Sequence, residues 1–375
     1  MYASRLLLVL AFVAGCSGAS PEWEAPGAPP PLLAGPYTMV VGTNEFLVAF
    51  RHIGRVSPTV DWESESGKTG SAATKRSGDL YSAVLKDLPR GEKVTYRVMV
   101  DRVEFGRGTV RANTPADQPK FRFAAFGDTR TNHQVHRAVV EAMAKEDIDF
   151  FLHTGDMVER GGKPEQWTTF FQIERELMAR APIVPAIGNH DLGNRGYYER
   201  FFFLDTFSNG KSYFITDWGN LRVVSLDVTI VCEHRCSQYI AVEKALAEGA
   251  AANKLMVLFL HNPPYSSGAH GSDMTLREVL GALARRYGVE LVITGHDHDY
   301  ERTKPIDGTT YIVSGSAGAP VRPILPSEFT AEARTEPHYI LVDVDANHLA
   351  LRAINLRGEV FDDALIPDNP PKLTP

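Results

Sequence analysis

Cysteine is scarce. Three residues, Cys16, Cys232 and Cys236, are too few in a chain of 375 for a disulfide framework, and the Cys-x3-Cys pair has no second pair to complete a zinc module. Long apolar runs are missing as well: the one uninterrupted stretch, Leu6 to Val13, is too short to span a bilayer, and nothing after it is longer. Basic residues are not in excess, with 39 Lys and Arg against 46 Asp and Glu and a formal net charge of −7. No basic stripe marks a general nucleic-acid surface. No internal repeat is visible, which argues against a solenoid. A content of 43% hydrophobic residues is enough for two cores.

Five short polar motifs stand at the ends of apolar runs: Gly127-Asp128, Gly155-Asp156, Gly188-Asn189-His190-Asp191, His261-Asn262 and Gly295-His296-Asp297-His298. The runs before them, Phe121 to Phe126, Phe150 to His153, Ile183 to Ile187, Leu255 to Leu260 and Val289 to Thr294, read as buried strands. Helical spacing covers Val135 to Lys145, Glu165 to Met178, Gln238 to Glu248 and Asp273 to Tyr287. Strand alternating with helix predicts a layered α/β domain, in which ligands gather beyond the carboxyl ends of the strands.

The residue types suit a pair of metal ions. Such a pair needs a bridging carboxylate and terminal ligands on each side, and its usual work is in-line displacement at phosphorus. Asp156 is the expected bridge. Asp128 and His298 complete one shell, while Asn189, His261 and His296 serve the other. Mixed nitrogen and oxygen donors predict two divalent or mixed-valence transition metals, Fe, Zn or Mn, rather than calcium. Each motif alone is weak, since Gly-Asp is commonly a turn and a strand-end His commonly structural. The joint pattern carries the reading.

The set and its order resemble the calcineurin-like metallophosphoesterases. The stretch Gly295-His296-Asp297-His298-Asp299-Tyr300-Glu301-Arg302 is most similar to the purple acid phosphatase branch and its bacterial relatives. The resemblance covers roughly Phe121 to Leu356 and implies the same ligand assignments. It also implies a catalytic β-sandwich flanked by helices over 120–358. Two positions depart from the family pattern: Arg130 stands where many members place a metal-binding His, and Glu159 where the purple enzymes place a tyrosine ligand to ferric iron. Glu159 is a candidate ligand, and Arg130 is either a phosphate contact or a salt-bridge partner. His133 and His136 lie on an expected helix and read as surface or packing residues.

His190 is the first choice for stabilising the transferring phosphoryl group, with Asp191 expected to orient its ring. His270, nine residues beyond His261, is expected to face substrate, as a His at about that offset does in the resembling phosphatases. The expected reaction is phosphomonoester hydrolysis by in-line attack of a metal-bound hydroxide, with His190 or His270 assisting the leaving oxygen. A phosphodiesterase acting on nucleotides or lipid headgroups is the alternative within the enzyme class. A surface binding protein with a structural metal site is the alternative outside it.

The rest of the chain addresses location and organisation. Arg5, the run Leu6 to Val13 and Val13-Ala14-Gly15-Cys16 resemble a bacterial lipoprotein signal over 1–15, with lipidation at Cys16; the alternative is an ordinary secretory signal cut a few residues later. A lipid anchor to the membrane of the cell envelope follows, and a Cys232–Cys236 disulfide suits the oxidising side. Residues 16–36, rich in Pro, Gly, Ala and Ser, read as a tether. Residues 37–114 read as a small β-sandwich, and Leu88-Pro89 through Tyr96 resembles the corner of fibronectin type III-like domains. Residues 359–375 read as a partly disordered tail. Oligomeric state and the natural substrate are not legible.

Overall fold

The computed structural model describes residues 34–117, 120–204, 211–230 and 236–366. The signal region with Cys16, nearly all of the tether, Cys232 and the residues after 366 lie outside them.

All five apolar runs form strands, and their residues are buried on both faces because each sheet is covered twice. In one sheet Phe121–Phe126, Phe150–His153 and Ile183–Pro185 run parallel, with Phe150 beside Phe123 and Phe151 beside Ile183. In the other, Leu221–Ser225, Leu255–Phe259, Leu291–Thr294 and Thr310–Ser314 are parallel neighbours. Alternation along each strand divides the side chains between two layers. Phe123, Ala125, Phe150 and Leu152 meet Val223, Val257, Phe259 and Ile293 in the core between the sheets. Ala124, Phe126 and Phe151 face a second core beneath His133–Met143 and Pro164–Met178. Met256, Leu258 and Val292 face a third beneath Ser237–Ala251 and Met274–Tyr287. The result is helix, sheet, sheet, helix: the flanked β-sandwich expected for the catalytic region.

The helices start where the sequence can cap them. Asn132 accepts from the backbone N–H groups of Gln134 and Val135, and Asp273 from Leu276. Pro164 opens its helix at the first turn, and Gly288 ends another with φ 67°. His133–Met143 buries His136, Val139, Val140 and Met143, a spacing that turns one face inward.

The N-terminal region is all-β, as expected, but it is continuous with the catalytic sheet. Ala34–Gly42 pairs in parallel with Ile183–Pro185 through Met39 and Ile183, and carries Glu45–Arg51, Leu80–Leu85 and Lys75–Ser77 into a ten-stranded sheet. Facing it, Thr59–Ser64, Thr69–Ala73, Lys93–Val100 and Val103–Arg111 make a four-stranded sheet. Trp218 ties the two regions together, its ring 5.8 Å from Phe46 and 4.8 Å from Phe150. One apolar cluster therefore runs from Val60 to Ile293, and the two regions share a core. At the other edge, Val360–Ile366 pairs antiparallel with Leu349–Asn355. The chain assigned to a tail after residue 358 is thus a strand through 366.

Candidate metal centre

The five motifs come together at the carboxyl ends of the parallel strands, where the two sheets meet. Backbone bonds between neighbouring strand-end loops hold the ligand-bearing segments together: the Asp128 backbone N–H donates to Gly155 O at 3.0 Å, and the Gly295 N–H to His261 O at 3.0 Å. Asp128, Asp156 and His296 adopt left-handed backbone, with φ of 55°, 54° and 70°. Such conformations cost on the order of 1–3 kcal/mol each and persist where surrounding structure enforces them. Two glycines allow the carboxylates to approach: a Cβ on Gly188 would lie 2.2 Å from Asp156 Oδ1, and one on Gly295 would lie 2.4 Å from Asp128 Oδ2.

Asp128, Asp156 and His261 present donor atoms within 4.8 Å of one another. His261 Nε2 lies 3.4 Å from Asp156 Oδ1, 3.1 Å from Asn189 Oδ1 and 3.2 Å from His296 Nδ1. His298 Nε2 lies 3.7 Å from Asp128 Oδ1. Two imidazoles are aimed by backbone carbonyls: His261 Nδ1 is 2.9 Å from Thr154 O, and His298 Nδ1 is 2.9 Å from Pro320 O. Donation from Nδ1 leaves Nε2 of neutral His298 as a lone-pair donor toward the centre, and Nε2 of His261 would become one when a metal displaces its proton.

The electrostatics call for a cation. Burial pushes Asp128 well up, and the Asp156 charge adds to it. Burial opposes ionisation of Asp156 too, but His261 beside it overcomes this and holds the carboxyl low. Burial pulls His261 down, yet Asp156 and Asp128 outweigh it and raise the imidazole to about 9. Burial, then the neighbouring His261 and His270, lower His296 to about 3. Burial lowers His298 to about 4. Unprotonated His296 and His298 are in the form that binds metal. Asp128 Oδ1 is buried and makes no hydrogen bond. Two carboxylates, an amide oxygen and three imidazoles around an unpaired buried oxygen fit a transition metal.

The flanking residues differ from expectation in part. Asp191 does not orient His190. Its carboxylate accepts from the backbone N–H groups of Asp156 at 3.0 Å, Met157 at 2.9 Å and Gly188 at 2.9 Å, and burial with the nearby Asp156 charge raises it to about 7. The His190 ring is held instead by Glu159 O, 2.8 Å from Nδ1, while Nε2 stands 4.0 Å from Asp156 Oδ2. The physical reason is that His190 and Asp191 open a 3-10 turn, His190–Asn194, in which successive side chains point about 120° apart.

His270 reaches the rim, stacked on His296 with ring centroids 4.3 Å apart. Arg322 Nη1 donates to its Nε2 at 2.5 Å, so that nitrogen acts as an acceptor. Arg130 forms the ion pairs weighed for it, with Asp156 Oδ2 at 3.2 Å and Glu159 Oε2 at 2.7 Å. Glu159 accepts from both Arg130 and Thr131. His133 is exposed, and His136 is buried in a 2.7 Å contact with Glu174. Cys236 is disulfide-bonded.

Arg322 went unread. It lies in the loop after Thr310–Ser314, donates its backbone N–H to His298 O at 3.0 Å, and has only the flanking Pro320 and Pro323 as a local signal. Thr154, whose carbonyl aims His261, carried no signal beyond its place before Gly155.

Residues 121–300 match the Calcineurin-like phosphoesterase family. Purple acid phosphatase 21 of Arabidopsis thaliana is 26% identical over 263 residues, 64% of this chain and 59% of that protein. "Probable inactive purple acid phosphatase 1" of the same plant is 24% identical over 350 residues, 76% of this chain and 55% of that protein. This chain thus spans less than two thirds of the length of either relative. Purple acid phosphatase PPD1 from yellow lupin (Lupinus luteus) seeds shares the fold at a TM-score of 0.80 and 20% identity, over 88% of this chain and 74% of that one. The structure of PhoD shares it at 0.70 and 13% identity, over 93% and 90%. The six candidate ligands lie inside the matched segment, so residues 121–300 carry a calcineurin-like phosphoesterase domain, and the chain is similar in sequence and fold to purple acid phosphatases.

Proposed function

We infer that the protein is a metal-dependent phosphoric ester hydrolase acting on phosphomonoesters. The observation that carries this reading is the convergence of Asp128, Asp156 and His261 around the unpaired Asp128 Oδ1, within a calcineurin-like phosphoesterase domain. Asp128, Asp156, Asn189, His261, His296 and His298 would hold metal. When bound, metal would supply Lewis acidity toward water and phosphoryl oxygen.

The protein's own groups would do the rest. With Nδ1 donating to Glu159 O, Nε2 of His190 is the ring atom left for substrate, and it donates a proton only from the imidazolium form. Arg130 offers a planar, permanently charged donor beside the carboxylates, suited to a phosphoryl oxygen. Arg322 and His270 form a basic rim next to His296. The Cys236 disulfide favours an oxidising compartment, consistent with the export expected from the N-terminal signal.

The deciding experiment assays full-length protein, loaded separately with Zn, Mn or Fe, on a panel of phosphomonoesters and phosphodiesters with a chelated control. Metal-dependent turnover with monoesters preferred is expected; a consistent preference for diesters would reassign the substrate class. A second reading, a binding protein with a structural centre, draws on the word "inactive" in one relative's name. Full metal occupancy with no turnover of any ester would favour it.

A further inference from the structure

The Arg130 guanidinium is inside the centre. Its side chain is 10% exposed, and its three nitrogens each engage a group at the site: Nε donates to Asp156 Oδ2 at 3.2 Å, Nη1 to Glu159 Oε2 at 2.7 Å, and Nη2 lies 3.3 Å from His298 Nε2. A guanidinium is only a donor, so His298 Nε2 must accept. The geometry agrees, because His298 Nδ1 carries its proton toward Pro320 O. Thus the nitrogen of His298 that faces inward, and one oxygen of Asp156, are already satisfied by a fixed positive charge.

The two oxygens of Asp156 face different partners. Oδ2 belongs to Arg130, whereas Oδ1 lies 3.4 Å from His261 Nε2 and accepts the His190 backbone N–H at 2.9 Å. Asn189 and His296 both contact His261 on that second side. Asp128 groups with Asp156 and His261, and its Oδ1 also lies 3.7 Å from His298 Nε2. The donors therefore divide unevenly: Asp128, Asp156, Asn189 and His296 surround His261, while the opposite side offers His298 already bonded to Arg130. Glu159, which the sequence offers as a substitute ligand, is drawn into the same pair and further held by the Thr131 hydroxyl at 2.7 Å.

On the reading that this is a metal-dependent phosphoesterase, we propose that the centre binds a single metal ion, and that the Arg130 guanidinium takes the place of the second cation of the pair. Asp128, Asp156, Asn189, His261 and His296 would hold the ion, and His298, the sixth candidate ligand, stays bonded to Arg130. Arg130 neutralises the remaining carboxylate charge and offers its donors to substrate oxygens, without the strong acidification of water that a second metal would bring.

The test counts metal on the full-length protein equilibrated with excess Mn(II), by elemental analysis after gel filtration and by electron paramagnetic resonance. Wild type should hold one equivalent and give the six-line signal of isolated Mn(II). Arg130→His, which puts an imidazole two residues after Asp128, should rise to two equivalents with the signal of an exchange-coupled pair. Two equivalents or a coupled signal in wild type would overturn the proposal. So would an Arg130→His protein that folds, by circular dichroism, yet still takes one. If that variant does not fold, the wild-type count and spectrum decide alone. One bound ion without phosphatase activity would sink the functional reading and leave this proposal standing; activity with two ions would do the reverse.

Discussion

The Asp191 carboxylate clasps the turn that presents Asp156. One oxygen lies 3.0 Å from the Asp156 backbone nitrogen and the other 2.9 Å from that of Met157, while Asp156 itself sits in left-handed backbone at φ 54°. A buried acceptor aimed at consecutive N–H groups is what holds such a turn, and Asp191 thereby positions a ligand without touching the centre.

Asp191→Asn should therefore damage the centre through its scaffold. The amide keeps the shape but turns a donor toward N–H groups, and leaving buried donors unpaired costs about 1–3 kcal/mol each. Thermal melting should fall by several degrees and metal affinity should weaken at least tenfold. Unchanged values for both, by calorimetry and metal titration, would show that Asp191 is dispensable to the turn.

The two substrate-side histidines should separate by leaving group. A general acid matters most for a basic alkoxide. His190 has Nε2 available, whereas Nε2 of His270 accepts from Arg322. His190→Ala should slow alkyl phosphates at least tenfold more than nitrophenyl phosphate, and His270→Ala should slow both alike. Single-turnover rates across esters of graded leaving-group pKa check this; the reverse pattern would mean that the Arg322 contact opens and His270 is the acid.

Iron-loaded protein should lack an intense purple band. That colour needs a tyrosinate on ferric iron, and the position three residues after Asp156 is Glu159, whose carboxylate is bonded to Arg130 and Thr131. A visible spectrum of the homogeneous iron form is sufficient. Strong absorption in the purple range would require another tyrosine at the metal.

Acidification should weaken the fold through His338, which lies in the strand His338–Val344 and is hydrogen-bonded to Ser314 and Ser316. Burial lowers it from the usual 6.5 to about 4, so the folded protein holds it neutral while the unfolded chain protonates first. Its contribution is complete above pH 6.5 and is lost as pH falls toward 4, on the order of 3 kcal/mol in all. Denaturant unfolding of metal-free protein at pH 7 and pH 4.5 should show the loss, with a smaller drop in His338→Gln. Equal drops in both would place the acid sensitivity elsewhere.

The strands, most of the helices and the identity of the clustered residues were legible in the sequence because they are local. Apolar runs of strand length, helical spacing between them, and polar motifs at the run ends each depend on a few consecutive residues. The ligand candidates Asp128, Asp156, Asn189, His261, His296 and His298 could be named because a metal centre permits few residue types. Their convergence then follows from parallel strands that all end on the same side.

What the tertiary structure decided depends on residues far apart in the chain. Only sheet pairing shows that Ala34–Gly42 continues the catalytic sheet, since Met39 and Ile183 are adjacent across a ladder that no local pattern announces. Only side-chain direction shows that Asp191 serves the Asp156 turn while Glu159 O holds His190. Arg322 meets His270 because two loops from different strands cross at the rim. Arg130 was visible as a departure from a pattern, but its charge could pair outward or inward. The packing of Asp156, Glu159 and His298 around it turned the guanidinium inward, where burial makes a fixed positive charge necessary.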